Sequence, residues 1–475
     1  MPVEVKLTGG LKIKINRSDK IGDCKPENTV ADFCFVLPSV WQFATIFFCF
    51  YTMRENIQTT RLENGLTILT DRMPDVRSVT LGFFFRKGSR HEPNELNGIS
   101  HFIEHAVFKG TQRRTALQIA IETDRLGGNL DAFTMHEETG FAIKIVDRQI
   151  ANAFDLLADM LSNPRFDEKE LKREQKVIIE EIKMTEDSPE DILGEIFNEK
   201  LFPNHPLGLS IAGTPKTVRT FDHETTRKFH AQYFSPDNLI IAAAGNVEHW
   251  QIVEVAEKSF DFKSKKRSPK TKDQKPKIAA PIVIKKNENL EQAHLIIAAP
   301  FVDAKSDGRY AADILANALG GGTSSRLWQK IREEKGLAYS VGASAAMYQD
   351  CGVFSIYAGT SPKQTEEVLD ISIAELRRVV KNGISIEELE LIKEQTVASI
   401  LLGLEDSSVR AGTLARLEMV HGRQISLEET IEKIEAVTLE EIQDLAREFF
   451  QTEKIAFGAL GNLNGLKIKR ERLEI

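Results

Sequence analysis

The pentapeptide His101-Phe102-Ile103-Glu104-His105 brings two imidazoles and a carboxylate together within five residues. The order H-x-x-E-H inverts the common H-E-x-x-H zinc motif. On a helix, with about 3.6 residues per turn, His101 and His105 lie one turn apart on a shared face, and Glu104 sits beside them. Two imidazoles leave a zinc ion short of protein ligands. A hydrolytic site of this kind needs a third protein donor and an open fourth position. The chemistry implied is metal-assisted hydrolysis of a peptide bond, with Glu104 positioned as a general base.

The elements around the pentapeptide can position it. An apolar run from Val79 to Phe85 is followed by the turn-rich stretch Gly88 to Gly98. Asn97 is the expected cap of a helix running to about Lys109, and Gly110 the expected stop. A second helical segment, Glu174 to Lys183, follows the Asn163-Pro164 break. Glu174 and Glu181 are two turns apart on one face of it, with Glu180 rotated by about 100°. That face offers one carboxylate to a metal and another to orient a ligand histidine. Composition alone leaves a second reading open, in which Lys172, Arg173 and Lys176 mark a solvated face.

Taken together, these segments resemble the pitrilysin, insulinase and mitochondrial-processing-peptidase family. The matching words are Asn97 to His105, Phe108-Lys109-Gly110-Thr111, Gly127 to Thr134, Val177-Ile178-Ile179-Glu180-Glu181 and His205-Pro206-Leu207-Gly208. The resemblance covers roughly residues 58 to 463, and Glu181 stands 76 positions after His105, similar to the family's spacing. It looks closest to the single-chain bacterial relatives of the processing peptidase. The resemblance implies zinc, one ion per chain, on His101, His105 and Glu181. It implies Glu104 as general base and Glu174 as a supporting carboxylate. Arg332 and Tyr339 match the family's Arg-Tyr pair, which would hold the substrate carbonyl and the oxyanion. Asp131, Ala132, Phe133 and Thr134 fall on an edge strand expected to pair with an extended peptide. Many members carry Asn where this chain has Asp131; an ionised aspartate cannot donate as the amide does, which alters one substrate contact and favours basic peptides.

Length and patterning agree with a two-part molecule. At 475 residues the chain exceeds a typical single domain. Residues 233–247 echo residues 449–463 at an offset of 216, and Glu174-Gln175 echoes Glu394-Gln395. Strands are expected at Leu66–Thr70, Val79–Phe85, Thr139–Val146 and Leu239–Ala244, and a helix at Ile150–Leu161. The expected fold class is α+β, with two homologous halves. Each is a sheet flanked by helices, and together they form a clamshell around a chamber. The zinc-bearing half spans 56–262, a Lys/Pro-rich linker 263–277, and a degenerate second half 278–475. The second half has no H-x-x-E-H, and Leu401 stands near the place where Glu181 would repeat. Gly320 to Arg326 lacks the lysine of a phosphate loop and reads as a connection between helices. His136, His205 and His294 lack partners at ligand spacing and are read as structural.

Net charge of −8 argues against nucleic acid as a partner. Residues 1–55 are an atypical extension, in which Phe33 to Tyr51 is a 19-residue run without charge. Two readings compete for it: a membrane anchor, or an over-long start with Met53 as the true first residue. The second implies a cytoplasmic protein, and the first a membrane-anchored one. Cys24, Cys34 and Cys49 lie in the extension, which leaves Cys351 alone in the main body and no disulfide framework there.

The leading expectation is a zinc endopeptidase cutting oligopeptides or extended presequence-like segments, alone, as a homodimer or with a partner subunit. The competing expectation is a non-catalytic scaffold, partner subunit or peptide-binding protein of the same fold.

Overall fold

The structure is a computed structural model that describes residues 3–6, 12–15, 55–260, 275–463 and 465–475. The apolar run 33–51, most of the 263–277 linker and three of the cysteines lie outside these residues. The chain divides into two compact units, Met1–Arg54 and Glu55–Ile475. In the first, β1 (Val3–Lys6) and β2 (Lys12–Ile15) pair antiparallel.

The second unit contains two sheets with the same strand order. The first has β3 (Ile57–Arg61), β4 (Thr67–Arg72), β5 (Ser78–Phe85), β6 (Asn129–Thr134), β7 (Thr139–Val146) and β8 (Leu239–Gly245). The second has β9 (Ile282–Lys286), β10 (Ala293–Phe301), β11 (Ala338–Met347), β12 (Gly352–Thr360) and β13 (Ala456–Gly461). Their spatial orders are β3-β4-β8-β5-β7-β6 and β9-β13-β10-β12-β11. Apart from the added β3, each strand of one sheet has its counterpart at the same place in the other. The parallel pair also repeats, as β4 with β8 and β9 with β13, while every other pairing is antiparallel. The 216-residue echo read from the sequence therefore marks two α+β copies, each a sheet flanked by helices.

Strand periodicity explains how the two sheets pack. In β8, Leu239, Ile241 and Ala243 face one core, and Ile240, Ala242 and Ala244 face another. The first core is covered by helices of its own half, including Ile150–Ser162. The second is covered by a helix from the other half, through Ala411, Leu414 and Ala415. The exchange is reciprocal. Phe197 and Leu201 of the first half pack on Ala298, Val353 and Ala456 of the second sheet. Gly458 leaves room for this, since a Cβ there would come within 2.7 Å of the Phe197 ring.

Polar contacts fasten the exchanged elements. Arg410 donates to Asp71 at 2.6 Å, both side chains buried, and Arg61 and Arg86 converge on Glu418. Arg90, also buried, reaches Glu137 and then forks onto both oxygens of Asp350 in the second half. Among the described residues no helix is long and apolar enough to cross a membrane. Cys351 is buried and free.

Candidate metal centre

Four helices matter to the site: α1 (Ile99–Ala106), α2 (Glu168–Asp187), α3 (Pro189–Leu201) and α4 (Ser407–His421). Helix α1 turns Ile99, Phe102, Ile103 and Ala106 into the core, which leaves His101, Glu104 and His105 on its opposite side. Its start differs from the expected one. The cap is Gly98, not Asn97, and the α-helix ends at Ala106, with a 3₁₀ turn carrying the chain to Lys109. Gly98 takes a left-handed φ of 95°, and a Cβ there would sit 2.6 Å from the Ala212 carbonyl oxygen. A side chain would push α1 away from the 210–213 loop.

The cap itself comes from Glu92. Its carboxylate accepts the Gly98 N–H at 2.8 Å and the Ser100 N–H at 2.7 Å. It thereby satisfies donors left over at the helix start, where a negative charge also meets the positive end of the dipole. Burial pushes Glu92 up to about 7, against the pull of those backbone donors. Sequence reading passed over Glu92, because it sits in a turn six residues before the cap it supplies.

Helix α2 buries Leu171, Ile178 and Ile182 and aligns Glu174 and Glu181 along the border of that apolar face. Glu181 lies 3.6 Å from His101 Nε2 and 3.6 Å from His105 Nε2. One donor atom each from His101, His105 and Glu181 lies within 4.8 Å of the others. Tetrahedral zinc with bonds of about 2.0–2.1 Å sets its ligand atoms roughly 3.3 Å apart, so these three residues fit the ion. Glu180 points elsewhere, to Lys183 at 2.7 Å.

The surroundings order the donors. Glu174 is buried, 3.4 Å from His105 Nδ1 and 3.0 Å from Lys109 Nζ. Burial opposes its ionisation, but the hydrogen bonds from His105 and Lys109 outweigh it and hold Glu174 below the usual carboxylate range. Burial lowers the basicity of both imidazoles. For His101, with His105 adding to the effect, it brings the value down to about 4. For His105 the hydrogen bond to Glu174 and the nearby carboxylates outweigh burial and raise it. Glu104 accepts from Thr134 Oγ1 at 2.6 Å, and burial raises it above an ordinary glutamate despite that bond.

His101, Glu104 and Glu181 open into a cleft of about 680 Å³. Ala132, Phe133 and Thr134 of β6 form part of its wall, and β6 is the outermost strand of its sheet. Asp131, on the same strand, is exposed and outside the lining, and its carboxylate accepts from Asn129 Nδ2 at 2.6 Å. The lining also includes Glu190, Asp191 and Glu195 of α3, acidic residues that the sequence reading did not single out. His136 also lines the cleft, bonded to Ser89 Oγ at 2.9 Å.

Arg332 and Tyr339 are brought to each other, but neither lines this cleft. Arg332 lies in the π-helical turn Trp328–Glu333 and donates to the Tyr339 carbonyl at 2.8 Å. Its guanidinium stacks over the Trp328 ring at 4.2 Å and the Tyr339 ring at 4.8 Å. Tyr339 occupies a register shift in β11, the outermost strand of the second sheet, and the residue is 78% exposed. A bulge of this kind re-aims a side chain.

Comparison with known proteins gives the same picture. Residues 67–215 match the family model described as Insulinase (Peptidase family M16), and residues 220–396 the one described as Peptidase M16 inactive domain. A protein named uncharacterized zinc protease YmxG of Bacillus subtilis is 38% identical over 398 residues, covering 84% of this chain and 96% of that one. An uncharacterized zinc protease of Rickettsia bellii is 36% identical over 408 residues, with 84% and 96% covered. Among solved structures, a protease from Helicobacter pylori superposes with a TM-score of 0.79 at 23% identity, covering 86% of this chain and 99% of that one. A chain of Complex III from Candida albicans does so with a TM-score of 0.78 at 21% identity, covering 88% and 100%. At such identities the structural likeness is one of fold.

Proposed function

From the premise that this chain belongs to peptidase family M16, we propose that it is a zinc endopeptidase acting on extended peptides. The observation that carries the reading is the convergence of His101, His105 and Glu181, with Glu104 beside them, at an open cleft. When bound, zinc supplies a Lewis acid that acidifies water and polarises the scissile carbonyl.

The chain's own residues do the rest. Glu104 takes a proton from the attacking water and returns it to the leaving amine, a shuttle helped by a pKa already raised by burial. Thr134 fixes the carboxylate that must do this. Glu174 holds His105 with Nε2 turned toward Glu181, the orientation in which that nitrogen would hold the metal. The free edge of β6 offers main-chain hydrogen bonds to an extended peptide, which reads length and extension rather than sequence. Glu190, Asp191 and Glu195 favour basic side chains in that peptide.

Arg332 and Tyr339 complete the account as carbonyl and oxyanion donors. The reciprocal packing of α3 and α4 ties the two halves of one chain together, and the pair stands outside the cleft of its own chain. Both facts favour delivery of the pair by a second chain, either another copy or a partner subunit.

The test pairs zinc analysis with digestion. Zinc-loaded protein is incubated with extended basic peptides and with a folded protein carrying the same segment. The expected result is about one zinc per chain and cleavage confined to the extended peptides. Intact peptides with a full complement of zinc would instead favour a scaffold or partner-subunit role.

A further inference from the structure

A second cavity, of about 570 Å³, lies in the first half and shares no lining residue with the zinc cleft. Its floor lies on the core of that half: Phe85, Phe166 and Phe260 are buried, and the partly exposed Phe234 packs on Phe85 with ring centroids 4.7 Å apart. His230 extends this surface, lying nearly parallel to Phe234 at 5.3 Å. That imidazole carries no charge to the site. It is buried, its Nε2 donates to the Leu161 carbonyl at 2.8 Å, and burial lowers it to about 4.

Charge enters from Arg165 and Arg227, both exposed and both part of the lining. Among the described residues neither makes an ion pair, and no Asp or Glu lines the cavity. Arg90, Arg114, Arg326 and Arg410, by contrast, each pair with a carboxylate. The wall is also held under strain. Phe166 has a φ of 50°, uncommon for a bulky side chain, and His223 Nδ1 donates to its carbonyl at 2.7 Å. That conformation keeps the Phe166 ring against His230, 5.3 Å away, in the cavity wall.

A partly exposed aromatic ring flanked by two arginines that have no carboxylate partner among the described residues has the chemistry of a site for an amphipathic anion. We propose that this cavity binds an aromatic carboxylate, the ring resting on the partly exposed Phe234 and the carboxylate pairing with Arg165 and Arg227. The site is separate from the peptidase cleft and does not depend on its metal.

The test is a fluorescence titration of the full-length protein with 2-naphthoate, run beside the neutral isostere 2-naphthalenemethanol. Both are repeated on chelator-treated protein, because a carboxylate can also seek zinc. The expected result is saturable binding of one naphthoate, at least tenfold tighter than the alcohol and unchanged by removal of zinc. The double variant Arg165→Ala/Arg227→Ala should lose at least tenfold for the acid and nothing for the alcohol. Its peptide hydrolysis should match wild type, which also shows that it is folded. The proposal is overturned by equal affinity for acid and alcohol, by wild-type binding in the double variant, by binding that disappears with zinc, or by no saturable binding at millimolar probe.

Discussion

Glu174 stands 3.4 Å from His105 Nδ1, on the opposite side of the imidazole from the nitrogen that faces Glu181. One ring is thus gripped from both sides by carboxylates two turns apart on a single helix. Removing the supporting carboxylate frees the ring without deleting a donor. Glu174→Gln should weaken zinc binding by about 10–100-fold, the range seen for such supporting groups. Glu181→Gln should weaken it further. Competition with a fluorescent zinc chelator measures both, and equal affinities for wild type and Glu174→Gln would remove Glu174 from the account.

Thr134 donates the hydrogen bond that Glu104 accepts at 2.6 Å. A bond to the charged form lowers a carboxyl pKa, so its loss raises it. In Thr134→Val the acid limb of kcat/KM should move to higher pH by about one to two units, from a hydrogen bond worth about 1.5–3 kcal/mol to a charged group. The pH profile on a single peptide checks this. A limb that moves to lower pH, or not at all, would mean that Thr134 does not hold the base.

Glu92 gives a pH dependence of stability with a definite sign. Burial raises it from 4.5 to about 7 in the folded chain. The folded protein therefore binds this proton more tightly than the unfolded one. The contribution is fully present below about pH 4.5 and is lost as the pH rises through 7. Between pH 5 and pH 8 the stability advantage of wild type over Glu92→Gln should shrink by about 3 kcal/mol, at 1.36 kcal/mol per pKa unit. Urea unfolding of metal-free protein at the two pH values reads the difference. An advantage that grows with pH would show that Glu92 is stabilised as the anion.

The histidines and Glu104 were legible in the sequence because helical period alone sets their shared face, and all three lie within five residues. Glu174 and Glu181 were legible as a pair by the same period, although only the resemblance assigned Glu181 to the metal. Glu92 was not, since a cap supplied through a tight turn has no periodic signature. The repeated sheet was readable from the 216-residue echo, but the exchange of α3 and α4 was not. The apolar positions Ala411, Leu414 and Ala415 mark a buried face without saying whose sheet will cover it. The helix start was misassigned by one residue, because Asn97 is an ordinary cap by type while the left-handed φ at Gly98 is set by the approach of Ala212.

Asp191 is exposed on the α3 wall of the cleft, with Glu190 beside it. An exposed charge pair is worth up to about 1 kcal/mol, a factor of roughly five. Asp191→Asn should raise KM for peptides carrying Arg or Lys by up to about fivefold, with less effect at high salt and little on neutral peptides. Steady-state kinetics on matched basic and neutral peptides separate the two cases. An equal change for both would place Asp191 outside the recognition of charge.

A quenched fluorescent peptide library decides whether Glu104 and the three-donor centre cut peptides. Wild type, chelator-treated wild type and Glu104→Gln are compared, with zinc content measured in each. Wild type should cut, lose activity with chelator and regain it with zinc, and Glu104→Gln should fall by at least 10²-fold with zinc still bound. Cutting by Glu104→Gln at the wild-type rate, or none by folded, zinc-loaded wild type, would contradict that role.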